Sequence, residues 1–290
     1  MNQNSGGLLK LAVVKLVNAA FYISLFLLVA SYLTTRSTGA FFLTLKRAMY
    51  RAYNALSLDF GLAGNGRDAL QFALTGLGPT LKLLLIGMVA ALFFGFVKGV
   101  IDSDKGKDRS SLIGIGTTIL PVSLPEILVV VLLQRLAVLL SNIGIHIPVG
   151  GASDSPGAYI IPVIAICVLP ACYIARILSS SLDLKYRADY IKTAYGKGLN
   201  GVEVLWKHVV PNGLPILLDS LPALSTIFIG NLMVIEYAFS VPGLARGMLY
   251  NFGKGDGNLV FASIILLACV WLATYLLLKS IAIVYRRRPA

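Results

Sequence analysis

The sequence is poor in the residues that build catalytic and metal centres. It has only two histidines, His146 and His208, and three cysteines among 290 residues. Cys167, Cys172 and Cys269 all lie in apolar stretches, where a cysteine commonly packs as a small apolar side chain. We therefore expect neither a disulfide framework nor a metal site built on these residues. Both histidines are interpreted as loop or surface residues.

Motifs of hydrolases and nucleotide-binding proteins are also missing. No H-E-x-x-H or G-x-S-x-G pattern occurs, and no carboxylates are paired as a catalytic site needs. The stretch 61–68, GLAGNGRD, lacks the Lys-Ser or Lys-Thr ending of a P-loop. The stretch 196–201, GKGLNG, matches the dinucleotide fingerprint by letter, but a charged helical pattern precedes it instead of a strand. We expect no bound cofactor and no enzyme activity in this chain.

Charged residues are scarce, at 13%, whereas 57% of the residues are hydrophobic and the mean hydropathy is +0.81. A soluble domain is nearer 45–50% apolar even with glycine included. The net charge of +12 could suggest nucleic acid. However, the positive residues cluster at the ends of apolar runs, and no aromatic-basic or zinc-finger pattern occurs, so no nucleic-acid partner is expected. The composition indicates a polytopic protein of the lipid bilayer.

Six apolar stretches are long enough to cross a bilayer, which takes about 20 helical residues. They cover residues 11–33, 79–101, 112–140, 159–179, 213–237 and 259–285. The sequence thus predicts an all-α membrane protein with about six transmembrane helices. Gly87, Gly95 and Gly230 are expected to allow close contacts between the helices.

The segment 34–78 is more polar and contains an apolar stripe at helical spacing. The stripe consists of Phe41, Phe42, Leu45, Ala48, Met49, Ala52, Tyr53 and Leu56. Lys46, Arg47, Tyr50, Arg51 and Asn54 form the opposite face. This pattern predicts an amphipathic helix in the first outer loop. Two placements remain open for the stripe, at the membrane interface or packed on neighbouring spans.

The distribution of basic residues predicts the orientation, because cytoplasmic loops carry an excess of Lys and Arg. Thirteen basic residues fall on the side of the termini and seven on the other side. Both termini are therefore expected in the cytoplasm. Five of the seven lie in the first outer loop, and we assign them to the folded amphipathic segment.

A long polar and basic stretch, 189–211, separates the fourth and fifth spans and reads DYIKTAYGKGLNGVEVLWKHVVP. Tyr190, Thr193, Ala194 and Lys197 share one helical face. Three glycines then interrupt the pattern before a second apolar helical period. We predict a short helix, a glycine turn and a second short helix, with Pro211 either ending it or opening the next helix.

This stretch resembles the cytoplasmic coupling loop, or EAA loop, of permeases in binding-protein-dependent ABC importers. That family's pattern is E-A-A, three residues, G, nine residues, then I-x-L-P. Here Ala194, Gly198 and Pro211 match, while Lys192 stands in place of Glu and His208 in place of Ile. The peptide and nickel branch commonly reads D-Y-V-R-T-A-R-A-K-G-L, close to residues 189–199. The resemblance implies contact with an ATPase through Asp189, Tyr190, Thr193, Ala194, Gly198, Leu199 and Pro211.

A second resemblance begins at Glu236, where EYAFSVPGLARGML is similar to E-T-V-F-S-W-P-G-L-G-R of peptide and nickel permeases. The matching residues are Glu236, Phe239, Ser240, Pro242, Gly243, Leu244 and Arg246. The pattern indicates a span that ends in a Pro-Gly turn and redirects the chain into a short outer helix. Such a turn can gate the outer mouth, so Glu236, Pro242 and Gly243 are candidate gate residues.

Five charged residues lie within or at the edge of the predicted spans, where each costs a few kcal/mol near the bilayer centre. They are Glu126, Arg135, Arg176, Asp219 and Glu236. Pairing inside the protein is the first interpretation for all five. For Asp219, which two prolines bracket, we add the hypothesis that it faces the translocation path and favours cationic or amino-bearing cargo.

Together the resemblances imply the type I ABC importer permease fold, in a B-type subunit of the oligopeptide, dipeptide and nickel permease family. Residues 1–78 are expected to hold the first span and the outer segment, and 79–290 a core permease domain with the coupling loop at 183–212. The implied partners are a second permease subunit, two ABC ATPase subunits that bind the ATP, and an extracytoplasmic substrate-binding protein. Peptides, nickel chelates and other small solutes remain open as cargo, as does a hetero- or homodimeric permease pair.

Two functions of other classes remain as alternatives. A stand-alone six-span channel or carrier is suggested by the intramembrane charges, and the coupling loop speaks against it. An intramembrane enzyme needs a nucleophile or paired acids at one depth, and the sequence offers neither.

Overall fold

A computed structural model describes residues 4–35, 41–103, 126–144, 148, 150 and 157–286, and these residues are almost entirely helical. The helices are α1 (Asn4–Thr34), α2 (Phe41–Ala55), α3 (Ala69–Leu74), α4 (Leu77–Asp102), α5 (Glu126–Asn142), α6 (Ile160–Tyr186), α7 (Asp189–Gly196), α8 (Gly201–Val204), α9 (Val210–Ala238), α10 (Leu244–Lys254) and α11 (Gly257–Arg286). A π-helical turn, Leu205–Val209, joins α8 to α9. The predicted all-α class is confirmed.

Four helical stretches of the described chain are long and apolar enough to cross a membrane: 69–102, 160–186, 201–238 and 257–286. They contain the predicted second, fourth, fifth and sixth spans. The first predicted span lies inside α1. The part of α1 whose side chains are described, 18–34, is apolar but shorter than the four long stretches. Of the third predicted span, residues 126–140 lie in α5, and residues 112–125 lie outside the described part of the chain.

The chain divides into two compact units. The first unit combines residues 1–77 with 247–267. In it α2 packs along the end of α1, where the buried Ser31 hydroxyl donates to the Ala48 carbonyl over 2.8 Å. The rings of Phe60 and Phe261 also meet there, with centroids 5.6 Å apart. The division at residue 78 into an outer segment and a core permease domain stays a prediction.

The second unit comprises residues 78–246 and 268–290 and is built around α6 and α9. Glycines allow α4 to approach α6 closely, as predicted. A methyl group on Gly87 would collide with Ile166, and one on Gly95 would lie 2.7 Å from Cβ of Ile174. Gly230 is different, because a methyl group there would meet no described atom within 4 Å. Among the described residues, the predicted close helix contact at Gly230 is therefore absent.

The amphipathic helix is α2, but its buried face differs from the predicted stripe. The buried side chains are Thr44, Ala48 and Ala55. Phe42, Met49, Tyr53 and Leu56, all members of the stripe, are 82%, 55%, 71% and 69% exposed. Small side chains allow α2 to lie close to α1, and the large apolar ones therefore point away from the chain. Of the two placements left open, packing of the helix on a neighbouring span is confirmed, because α2 lies against α1. The placement of its exposed apolar face at the membrane interface stays a prediction.

Candidate functional site

The predicted coupling stretch forms a short helix, a turn and a second short helix, as expected. Helix α7 begins at Asp189 directly after Ala188, whose backbone is extended. The Asp189 carboxylate lies in the first turn, where it opposes the positive end of the helix dipole. It also pairs with Lys192 over 2.9 Å, and both side chains are exposed, so this ion pair adds little stability.

A left-handed glycine ends α7. Gly198 has φ +82°, a conformation that side-chain-bearing residues rarely adopt. Its N–H donates to the Tyr195 carbonyl over 2.9 Å, and the Leu199 N–H donates to the Ala194 carbonyl over 3.4 Å. These bonds satisfy carbonyls at the helix end in the manner of a glycine C-cap. Gly198 thereby sets the direction in which the chain leaves α7.

The second helix is fixed at its start by a capping box. The Asn200 side chain accepts from the Glu203 N–H over 2.9 Å, and the Glu203 carboxylate accepts from the Asn200 N–H over 3.2 Å. Helix α8 then passes through the π-helical turn into α9, and Pro211 lies in the first turn of α9. Of the two predictions for Pro211, the one in which it opens the next helix is confirmed.

The predicted coupling residues divide into an exposed and a buried set. Asp189, Tyr190, Thr193, Gly198 and Pro211 are exposed, Leu199 is half-buried, and Ala194 is buried. Ile191 joins Ala194 in facing the protein. The stretch therefore presents an exposed surface that includes polar residues and Tyr190, and its buried side attaches it to the protein.

The base of this loop is held by a close contact between α6 and α9. The buried Ser181 hydroxyl donates to the Gly213 carbonyl over 2.7 Å. A methyl group on Gly213 would lie 2.7 Å from a Leu182 methyl carbon. The loop is therefore joined at its base to two long apolar helices that are in close contact.

The second predicted site centres on Glu236, which is fully buried in the last turn of α9. One carboxylate oxygen accepts from the Thr80 hydroxyl of α4 over 2.6 Å. The other accepts from the backbone N–H groups of Ala245 over 2.8 Å and Arg246 over 3.1 Å. Thr80 in turn accepts from the Leu244 N–H over 2.8 Å. Glu236 and Thr80 together thus accept hydrogen bonds from the first three N–H groups of α10. A carboxylate is favourable at this position, because the start of a helix carries a partial positive charge.

The turn between α9 and α10 depends on Gly243. A methyl group there would overlap all three atoms of the Glu236 carboxyl group. Ser240, earlier in the turn, has φ +54°, and its carbonyl accepts from the Arg246 guanidinium over 3.1 Å. Pro242 is exposed at the tip. We call Thr80, Glu236, Gly243 and the start of α10 the carboxylate clasp.

Other polar contacts involve the same half of α9. With its amide nitrogen turned toward α5, Asn231 donates to the Glu126 carboxylate. The Gln134 amide donates to the Ala238 carbonyl over 3.0 Å. Glu126 and Glu236 thus have partners, as the pairing interpretation predicted. Arg135 and Arg176 are exposed within the described chain.

Asp219 lies in the first half of α9 and pairs with Arg286 at the end of α11. Both side chains remain about half exposed. Asp219 thus also has a partner inside the protein, as the pairing interpretation predicted. Its proposed contact with cargo stays a hypothesis.

Sequence reasoning missed Thr80, Asn231 and Gln134, which are the partners of Glu236, of Glu126 and of the carboxyl end of α9. Each is a neutral polar residue in an apolar helix. The available signal was that a buried carboxylate needs a donor on a neighbouring span. The pattern could not identify which span supplies it. Among the described residues, no three His, Cys, Asp or Glu side chains gather as a metal site would require.

Comparison with known proteins places these features in context. Residues 116–288, more than half of the chain, match the family model described as binding-protein-dependent transport system inner membrane component. The dipeptide transport system permease protein DppB of Bacillus subtilis is 29% identical over 203 residues, which cover 68% of this chain and 64% of that protein. The chain thus spans slightly less than two thirds of this relative.

Two further relatives give the same picture. The peptide transport system permease protein SapB of Haemophilus influenzae is 24% identical over 240 residues, covering 72% of this chain and 74% of that protein. The glutathione transport system permease protein GsiC of Escherichia coli K12 is 28% identical over 218 residues, covering 73% and 69%.

Solved structures share the fold at low sequence identity. The MetNI methionine ABC transporter in inward-facing conformations gives a TM-score of 0.54 at 18% identity, covering 73% of this chain and 95% of the matched one. An amino acid ABC transporter with histidines gives 0.51 at 18% identity, covering 75% and 94%. The predicted ABC importer permease fold is confirmed.

Proposed function

Because the chain belongs to the family of binding-protein-dependent transport system inner membrane components, we propose that it forms the translocation path of an ATP-driven importer for peptide-like solutes. It is a multi-pass protein of the inner membrane. Peptide-like cargo is supported by the relatives, which belong to dipeptide, peptide and glutathione transport systems. A nickel chelate or another small solute is the nearest alternative cargo.

The coupling loop carries this proposal. Its exposed surface around Tyr190 and Thr193 docks on an ABC ATPase subunit, which binds and hydrolyses the ATP. Closure of two such subunits moves the loop, and the Ser181–Gly213 contact passes that movement to α6 and α9. A second permease subunit completes the path, and an extracytoplasmic binding protein delivers the cargo.

The carboxylate clasp is proposed as the hinge of the outer gate. It ties α4, α9 and α10 together through one buried carboxylate, so that the Ser240–Gly243 turn follows the movement of these helices. A buried, fully bonded carboxylate holds one arrangement firmly, since breaking any of its bonds leaves a buried charge poorly solvated. The gate therefore opens by movement of the helices that carry the clasp.

The orientation proposed for the chain follows from its basic residues, with both termini and the coupling loop in the cytoplasm. The Asp219–Arg286 pair and the coupling loop then lie toward the cytoplasmic side, and the carboxylate clasp lies toward the outside.

A stand-alone carrier drew its support from the five intramembrane charges. Three of them, Glu126, Glu236 and Asp219, have a polar partner in the described chain, so they are explained without a carrier. These paired charges are better explained as structural contacts in a transport component that depends on an ATPase.

Co-purification tests the proposed function. The tagged chain is isolated from its native membrane in mild detergent, and its companions are identified by mass spectrometry. We expect a second permease and P-loop ATPases, with ATPase activity stimulated by a peptide-loaded binding protein. If the chain is isolated alone and transports solute without nucleotide, the proposal is wrong.

Asp219 is proposed to favour cationic peptides. Asp219→Asn is then expected to lower uptake of a lysine-containing dipeptide several-fold relative to a neutral one, because a carboxylate attracts the cationic side chain. Uptake of the two labelled peptides into proteoliposomes containing the complex measures this ratio.

Arg286→Gln is the matched control, since it breaks the same ion pair from the other side. A purely structural pair would give both variants the same loss for both peptides. An unchanged ratio in Asp219→Asn would end the cargo hypothesis and leave Asp219 as a partner of Arg286.

A further inference from the structure

The first compact unit contains an open cavity of about 1060 Å³ that the proposed transport path does not use. Its wall is formed by α2, by the segment 62–65 and by the loop between α10 and α11. Four of the lining residues are cationic, Lys46, Arg47, Arg51 and Lys254, and one is acidic, Asp256. We call this the cationic cavity.

The floor of the cavity is fixed by a network of side chains. Arg51 donates to the Thr35 hydroxyl over 3.1 Å and to the Asn258 amide oxygen. Asn258 donates in turn to the Leu62 carbonyl over 2.8 Å. Burial lowers the pKa of Arg51, and the nearby Asp256 carboxylate opposes this effect. A guanidinium titrates so far above neutral pH that Arg51 stays charged.

The single acid of the cavity is already engaged. Asp256 accepts from the Gly64 N–H over 2.6 Å and from the Leu259 N–H over 3.2 Å, and it faces the charge of Arg51. Lys46 and Arg47 are exposed and form no ion pair with any described residue. Like charges held together in a concave site create a positive potential that attracts an anion.

The surroundings of the cavity indicate what carries that anion. Helix α2 has three faces: a buried face of small side chains, the cavity face with Lys46 and Arg47, and an exposed apolar face. The exposed apolar face consists of Phe42, Met49 and Tyr53, and Leu56, just after the helix, continues it. A helix with an exposed apolar face flanked by basic residues lies in the membrane interface, with its cations at the headgroup level. Leu33, near the end of α1, is also apolar and 68% exposed.

We propose that the cationic cavity binds the phosphate headgroup of an anionic phospholipid, whose acyl chains lie along the exposed apolar face of α2. The charge of the cavity matches the phosphate, and the adjacent apolar face matches the hydrocarbon. A free anion would match the charge of the cavity but not the exposed apolar face of α2. An acidic protein surface would also match the charge and would leave that apolar face exposed. This site does not depend on the cargo of the importer.

Lipid binding is measured on the purified full chain in nanodiscs or detergent by native mass spectrometry, with phosphatidylglycerol and phosphatidylcholine in competition. We expect selective retention of phosphatidylglycerol. The double variant Lys46→Gln, Arg47→Gln is expected to lower the apparent affinity for phosphatidylglycerol roughly tenfold, since each basic residue near an anionic lipid contributes appreciably. Arg47→Gln alone is expected to have part of this effect.

Arg67→Gln is the matched control, because Arg67 is exposed in the same compact unit and does not line the cavity. It should retain the lipid as the unaltered chain does. Equal losses in Arg67→Gln and Arg47→Gln would mean a general charge effect and would overturn the site. So would the absence of any preference for phosphatidylglycerol.

Inorganic phosphate distinguishes the two sources of the anion. At millimolar concentration it should displace little phosphatidylglycerol, because it lacks the acyl chains. Displacement by phosphate as effective as by short-chain phosphatidylglycerol would identify a free anion as the occupant, and the lipid proposal would be wrong.

Discussion

Replacing Gly243 with alanine is expected to lower solute uptake by the assembled importer more than tenfold. The added methyl group would overlap the buried carboxyl group of Glu236, so the turn or the carboxylate must shift. Either shift breaks hydrogen bonds to a charged group, and each such bond contributes about 1.5–3 kcal/mol. Uptake of a labelled peptide into proteoliposomes measures the effect.

Gly247→Ala is the matched control, because Gly247 lies in the same short helix and a methyl group there meets nothing within 4 Å. It should leave uptake within about twofold, since alanine favours a helix over glycine. If both variants transport equally well, the close fit between Gly243 and Glu236 has no part in transport.

Thr80 provides a milder test that separates gating from misfolding. Thr80→Val keeps the shape but leaves the Glu236 carboxylate and the Leu244 N–H each short of one bond, at a cost of about 1–3 kcal/mol. Thr80→Ser keeps the hydroxyl and should behave like the unaltered protein. We expect Thr80→Val to assemble with the ATPases yet transport poorly. Normal transport by assembled Thr80→Val would contradict the role of the clasp.

Much of the architecture could be predicted from the sequence because a bilayer imposes strong constraints. A span needs about 20 apolar residues in a helix, so composition alone places the long apolar helices near 79–101, 159–179, 213–237 and 259–285. Local signals were equally direct in the coupling stretch. The glycine turn was predicted there, and Gly198, with φ +82°, is the left-handed residue that forms it. For Pro211 the pattern left two positions open, and the structure selects the first turn of α9.

Tertiary partners could not be predicted in the same way. The sequence marks Glu236 as a buried acid, but Thr80 is distant in the chain and is one of many hydroxyl residues in apolar stretches. The pairing of Arg51 with Asn258 likewise joins residues that are remote in sequence.

Helix α2 shows a different limit. Periodicity correctly identifies an amphipathic helix, yet hydrophobicity alone does not say which face the chain buries. Ala48 and Thr44 face the protein because α2 and α1 lie close together, and close approach selects small side chains. The large apolar residues are then left exposed. A helix at a lipid interface has two apolar environments, and a hydrophobic stripe is compatible with either.

Replacing Gly198 with valine is expected to uncouple ATP hydrolysis from transport and to reduce uptake at least tenfold. Gly198 has φ +82°, and a left-handed conformation costs a residue with a side chain about 1–2 kcal/mol, more for a β-branched one. Since about 1.4 kcal/mol is a factor of ten in an equilibrium, the population of the native turn relative to other conformations falls by roughly tenfold or more. The exposed surface of Tyr190 and Thr193 then no longer keeps its orientation to α8. ATPase activity and uptake are measured together on the reconstituted complex.

Gly196→Val separates this backbone effect from simple bulk. Gly196 lies two residues earlier at the end of α7, its backbone is not left-handed, and a methyl group at either glycine meets nothing within 4 Å. The same side chain is therefore added to the same exposed loop in both variants. Gly196→Val should retain uptake within about twofold and keep binding-protein stimulation of the ATPase. Equal losses in the two variants would show that the ATPase is sensitive to any bulk at this surface, whereas full activity in both would remove the coupling loop from the mechanism. Only a loss confined to Gly198→Val assigns the coupling to the direction in which the chain leaves α7.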